Sequence, residues 1–251
     1  GLVNIQYVVL DEVVYVIEVN PRSSRTVPYI SKVTDISMVD MATRIMMGES
    51  LKDMGYTFGL NPVKDHVAVK VPVFSFSKLT DVDTQLGPEM KSTGEVLGVA
   101  KNFGDALYKG LVAAGNDMAR EGGVLLTVRD RDKPEILAIG KRFHALGFKI
   151  HATVGTAQAL REAGVPVHVV RRLSEAAPNI GDLLDDREVN YVISTSTHGR
   201  QPGLDEVRMR RMAVENSITL LTALDTARAL LDCLESDRCL ADIPLIDLNT
   251  I

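Results

Sequence analysis

From Gly122-Gly123 onward the chain alternates short apolar runs with longer amphipathic stretches, and few folds accommodate that pattern. The runs are Val124 to Val128, Lys149 to Ala152, Val167 to Val170, Tyr191 to Ser194 and Ile218 to Leu221. Helical patterns begin near Pro134, Thr156, Ile180 and Leu204, and a last one covers Leu224 to Leu234. Short apolar strands separated by amphipathic helices predict a five-stranded parallel sheet with helices on both faces and right-handed crossovers. The fold class expected is therefore α/β, Rossmann-like in layering. No G-x-G-x-x-G follows the first strand, which runs into Val128-Arg129-Asp130-Arg131, so a dinucleotide-binding site is disfavoured.

The first part of the chain reads differently. Asn4 to Leu10 and Val13 to Val19 alternate around Asp11-Glu12, which predicts an antiparallel hairpin ended by Asn20-Pro21-Arg22. A helical pattern follows at Met38, Met41, Ile45 and Met46, capped by Gly48, with a short turn from Glu49-Ser50-Leu51. Met38, Met41, Met46 and Met47 read as core filling. Tyr56 to Asp65 reads as loop, His66 to Phe76 as a strand, 77–98 as a long irregular connection and Phe103 to Met118 as a helix. The expected division is 1–76, an α+β unit; 77–114, connection and helix; and 115–251, the parallel sheet.

Composition excludes several classes. A net charge of -5 argues against a protein that coats nucleic acid. No apolar run approaches the roughly 20 residues of a membrane span. The start Gly1-Leu2-Val3-Asn4 has no basic stretch before an apolar one, so it does not read as a signal peptide. Lacking an initiator Met, it suggests a piece of a longer chain. Cys233 and Cys239 have no metal-ligand spacing and read as free thiols of a reducing cytoplasm.

Two constellations carry chemistry. On the second strand Glu18 and Asn20 share a face, and hard oxygens so placed suit a Mg²⁺ shared with phosphates. Gln6 joins them only if the register puts it opposite Glu18. A three-residue loop at 11–13 would do that, whereas a two-residue turn would put Gln6 opposite Ile17. The forks of Arg22 and Arg25 suit phosphate oxygens. A polar strand end facing solvent is the bland alternative. The second constellation lies at the carboxyl ends of the parallel strands, where helix N-termini attract anions. It comprises Thr127, Lys133, Thr153, Gly155, Thr156, Arg171, Arg172, Ser194 and Thr195, with the run continuing to His198-Gly199-Arg200. Each cluster alone is equally well an N-cap. Four at successive strand ends, with Lys133 and Arg172, favour a phosphate site. Arg208, Arg210 and Arg211 read first as a solvated helix face, and His144 and His168 as surface or satisfied histidines.

Ile17-Glu18-Val19-Asn20-Pro21-Arg22 with Ser23-Ser24-Arg25-Thr26-Val27-Pro28 resembles the closing segment of an ATP-grasp domain in the carbamoyl-phosphate synthetase large subunit. Leu86-Gly87-Pro88-Glu89-Met90-Lys91-Ser92-Thr93-Gly94-Glu95-Val96 is a second segment similar to that family, and the parallel sheet resembles its methylglyoxal-synthase-like allosteric domain. The resemblance implies metal-holding roles for Gln6, Glu18 and Asn20, and phosphate-side roles for Arg22 and Arg25. It also implies nucleotide contacts by Thr127, Lys133, Thr153, Thr156, Arg172, Ser194 and Thr195. Mg²⁺ or Mn²⁺ and ATP would serve the intact protein, with a glutaminase small subunit as partner and none of these cofactors in this chain alone. UMP, IMP or phosphoribosyl pyrophosphate (PRPP) would be the effector. Lys70 and Leu220-Leu221-Thr222 stand where ornithine-activated members carry acidic groups, so ornithine is not expected to act. The stretch 194–200 holds no carboxylate, which leaves a methylglyoxal-synthase-like lyase without its acid–base group. A non-catalytic assembly domain is the other alternative. Coupling between the halves is expected through 77–115. A cytoplasmic location, no nucleic acid and no membrane are expected, and a homo-oligomer is left open.

Overall fold

The structure is a computed structural model, and it describes residues 1–57, 59–78, 84, 86, 89–195, 203–236 and 240–247. Strands β1 (Asn4–Leu10) and β2 (Val13–Asn20) form an antiparallel hairpin. Leu10 pairs with Val13, so the turn has two residues, and Asp11 and Glu12 both take positive φ, 48° and 63°. That is the backbone a two-residue hairpin with right-handed twist requires. The longer loop expected from the metal reading is thus wrong. Gln6 nevertheless faces Glu18, because the register shifts between Gln6 and Tyr7 and Ile17 is the extra residue of a β-bulge. The side chains along the hairpin are largely exposed on both faces.

Helix α1 (Thr26–Thr34) was not legible in the sequence. Pro28 stands in its first turn, where a missing N–H removes no helical bond. Helix α2 (Met38–Met46) ends at Gly48, whose φ is 104°. Its inner face carries Met38, Met41, Ala42 and Ile45, whereas Met46 and Met47 are exposed, so the methionines fill the core only in part. The turn after it is closed by the Ser50 hydroxyl, 2.6 Å from the Asp53 carboxylate.

Strand β3 (Val67–Val73) pairs antiparallel with β4 (Gly94–Ala100), which begins within the stretch 77–98 read as irregular. Two glycines hide β4 from pattern reading, and Gly98 has a structural reason. A Cβ there would stand 1.9 Å from the carbonyl oxygen of Ala106 on helix α3 (Phe103–Ala113). Only glycine lets that helix lie so close on the strand pair. On its other side α3 meets the C-terminal region: Tyr108, Cys233 and Ile243 form one cluster, and Lys109 Nζ donates to the carbonyls of Val99 (2.9 Å) and Pro244 (2.6 Å).

The second region is the expected parallel sheet. Its strands are β5 (Gly123–Thr127), β6 (Lys149–Thr153), β7 (His168–Val170), β8 (Tyr191–Ser194) and β9 (Thr219–Leu221), in the order β7-β6-β5-β8-β9. Val124, Leu126, Ile150, Tyr191 and Ile193 pack under helices α4 (Lys133–Ala145), α5 (Val154–Glu162) and α8 (Leu224–Glu235). Leu125 and Val192 face the other way, under α6 (Ile180–Asp185) and α7 (Leu204–Glu215). The strand order reverses between β5 and β8, so a crevice is expected above their carboxyl ends.

Candidate functional site at the carboxyl ends of the strands

Two adjoining clefts open there. One, about 410 Å³, is lined by Val128, Arg129, Asp130, Arg131, Lys133, Thr153, Gly155, Thr156 and Arg172. The other, about 260 Å³, shares Val128, Thr153 and Arg172 and adds Thr127, Leu173, Ile180 and the start of α7. The structure therefore brings Thr127, Lys133, Thr153, Gly155, Thr156 and Arg172 together around one opening.

Their side chains are not equally available. Thr127 and Thr153 hydroxyls lie 3.3 Å apart at the ends of neighbouring strands. Lys133 Nζ sits 2.8 Å from Asp130, and that bond holds the exposed Asp130 carboxyl below its ordinary range. Arg172 is exposed, and its backbone N–H donates to Glu175 at 2.7 Å. Gly155 stands beside Lys133, since a Cβ there would come within 3.1 Å of Nζ. No side chain caps the first turn of α5, so its backbone N–H groups face the opening unscreened.

Three of the expected contacts are spent inside the protein. Thr156 is 1% exposed, and its hydroxyl accepts from the Val128 amide at 3.3 Å. Ser194 is buried in the sheet. Thr195 is buried; its hydroxyl accepts from the Arg129 amide at 3.1 Å and donates to Asp132. Burial pushes the Asp132 carboxyl up, but the bonds from Thr195 and Arg129 outweigh it and hold it below the usual range. These bonds shape the β5–α4 turn that presents Lys133. His198, Gly199 and Arg200 lie outside the described residues.

The arginine triplet on α7 is corrected as well. Arg208 is exposed, whereas Arg210 is 1% exposed with Glu206 3.6 Å away, and Arg211 is half-buried. A buried guanidinium needs partners, so this is an inward face rather than a solvated one. His144 is exposed, and His168 is exposed and stacks on His151 at 5.3 Å. Cys233 is a free thiol whose burial pushes its pKa up to about 11, and Cys239 lies outside the described residues.

At the hairpin, Gln6 and Glu18 face each other, and Asn20 donates its amide to the Glu18 carboxylate. One carboxylate and two amide oxygens on a single strand pair are the hard donors Mg²⁺ accepts, and phosphate or water oxygens would complete six. The donor set therefore fits such an ion. Arg22 is exposed and donates to the neighbouring Ser23 carbonyl at 3.1 Å. Arg25 reaches across the fold and donates to the carbonyl of Ser92 at 2.9 Å. The bond joins the two segments singled out in the sequence, although Gly87 and Pro88 of the second lie outside the described residues.

The sheet and its strand-end opening define an MGS-like domain, and residues 135–222 match the family model of that description. Residues 1–54 match the model of the carbamoyl-phosphate synthase L chain, ATP binding domain. In that order the two matches are those of the C-terminal part of a carbamoyl-phosphate synthase large subunit. Among solved structures, the crystal structure of ForH is similar at 18% identity and a TM-score of 0.34, over 45% of this chain and 79% of that one. Among the described residues no helix is long and apolar enough to cross a membrane.

Proposed function

We propose that the chain is the effector-binding end of a carbamoyl-phosphate synthase, with a nucleotide monophosphate such as UMP bound at the strand-end opening. The observation that carries this reading is the convergence of Lys133, Arg172, Thr153 and the uncapped start of α5 on one cleft. A phosphate there meets two cations and free backbone N–H groups. IMP and PRPP offer the same phosphate chemistry and are the competing effectors. Lys70, paired with Glu95 at 3.3 Å, stands where an amine ligand such as ornithine would need an acid.

In the parent enzyme, Gln6, Glu18 and Asn20 would hold a Mg²⁺ or Mn²⁺ ion that neutralises ATP phosphates, while Arg22 and Arg25 orient the phosphate side of the reaction. The reaction is the ATP-dependent synthesis of carbamoyl phosphate, with ammonia supplied by a glutaminase subunit. A cytoplasmic setting in pyrimidine synthesis suits the reading, and arginine synthesis is the competing one.

Calorimetric titration with UMP, IMP and PRPP tests the assignment, using Lys133→Ala and Thr153→Ala. Micromolar binding of one ligand that both variants weaken supports it. A well-folded chain that binds none of the three overturns it.

A further inference from the structure

We propose that helix α7 couples the strand-end cleft to the Arg25 segment, with Arg211 as the positioning residue at its far end. The inference rests on the effector-site reading and adds the route by which that site acts at a distance.

At the cleft, Asp205 in the first turn of α7 accepts from the backbone N–H of Ser174 at 3.1 Å and from its hydroxyl at 2.5 Å. Ser174 follows Arg172 by two residues. Glu206 and Met209 of the same helix line the opening beside Arg172. An anion that draws Arg172 inward therefore pulls on the loop that grips α7.

Further along the helix, Arg211 leaves the domain. Its guanidinium is held by Glu215 at 2.7 Å and donates to the carbonyl of Phe76 at 3.3 Å. Phe76 is buried and begins the turn after β3. The neighbouring Ser75 hydroxyl lies 2.9 Å from that of Thr93. Thr93 donates its amide to Val73 at 2.8 Å, and the adjacent Ser92 carbonyl accepts from Arg25. The links are hydrogen bonds, steps between chain neighbours, and a helix, which moves as a rigid body because its backbone bonds are internal. Helix α7 thus reaches from the cleft to Phe76, and hydrogen bonds carry the contact on through Thr93 to Ser92 and Arg25. Of the connection 77–115, the route uses Thr93 and Ser92.

Amide exchange at Thr93 tests the route in this chain, in wild type, Arg211→Met, Asp205→Asn and the double variant. Arg211→Met is expected to speed exchange at Thr93 by about tenfold, the effect of losing one charge-assisted bond. Exchange in β5 and β6 should stay unchanged, which separates the effect from misfolding. Asp205→Asn should speed Thr93 in the wild-type background and add nothing once Arg211 is gone. A Thr93 amide indifferent to both, or an Asp205 effect of equal size in both backgrounds, overturns the proposal. UMP should slow Thr93 in wild type and not in Arg211→Met, and a UMP effect that survives the substitution also overturns it. If UMP fails to bind, the effector reading falls by itself, and the variant cycle still decides the coupling.

Discussion

The hydroxyl of Thr156 accepts from the amide of Val128 at 3.3 Å and lies 3.5 Å from the carbonyl oxygen of the same residue. It ties the start of α5 to the end of β5 and is fully committed to that task. Thr156→Ala should therefore lower stability by about 1–2 kcal/mol, since a buried amide loses its acceptor. Urea denaturation measures this, and Thr156→Ser should recover most of it. A variant as stable as wild type would show the hydroxyl to be spare.

Asp130 competes with any phosphate for Lys133, at 2.8 Å. Asp130→Asn should tighten nucleotide binding by about threefold, a modest change because the pair is solvent-screened. Weaker binding would instead place Asp130 among the ligand's own contacts.

Gly155→Ala works on the same lysine in the opposite sense. The new Cβ would stand 3.1 Å from Nζ and must displace it, while the fold has room for the change because only a flexible side chain yields. Affinity should fall by a few-fold, roughly the effect of shifting one exposed charge, with the melting temperature unchanged.

Gly98→Ala is expected to be severe. A Cβ 1.9 Å from a helix carbonyl forces α3 away from β3 and β4. Overpacking of this kind costs about 3 kcal/mol or more when backbone must move. Denaturation should show it, with exchange rising in α3 and β4 before the parallel sheet.

His151 makes stability depend on pH. It is buried, its Nε2 has no hydrogen-bond partner among the described residues, and burial, with His168 alongside, lowers its pKa below the ordinary 6.5. Between the depressed folded pKa and 6.5 the unfolded chain binds a proton that the folded one does not. Stability is therefore complete above 6.5 and declines as pH falls toward the folded pKa. Melting temperatures across that window should drop for wild type and drop less for His151→Phe.

The strand-end site was largely legible, because strand alternation places Thr127, Thr153 and Arg172 at one end of a parallel sheet. What could not be read was which hydroxyls are spent. Thr153 and Thr156 are identical in chemistry and three residues apart. The first ends a strand facing the opening, and the second turns inward to Val128. The arginines of α7 illustrate the same limit: charge predicts exposure, yet Arg210 is buried by the elements packed over it.

The amino-acid sequence by itself determined the alternation of strands and helices in the parallel-sheet region, the hairpin around Asp11-Glu12 and the clustering of phosphate-suited residues at strand ends. These follow from periodicity and local backbone preference, which act over a few residues. Only the tertiary structure decided that a bulge at Ile17 brings Gln6 opposite Glu18. The same holds for β4, which pairs with β3 although Gly98, required by the close approach of α3, weakens its strand pattern, and for Arg25 meeting Ser92. Those outcomes depend on close approach between segments far apart in the chain, where packing and hydrogen-bond geometry override what neighbouring residues prefer.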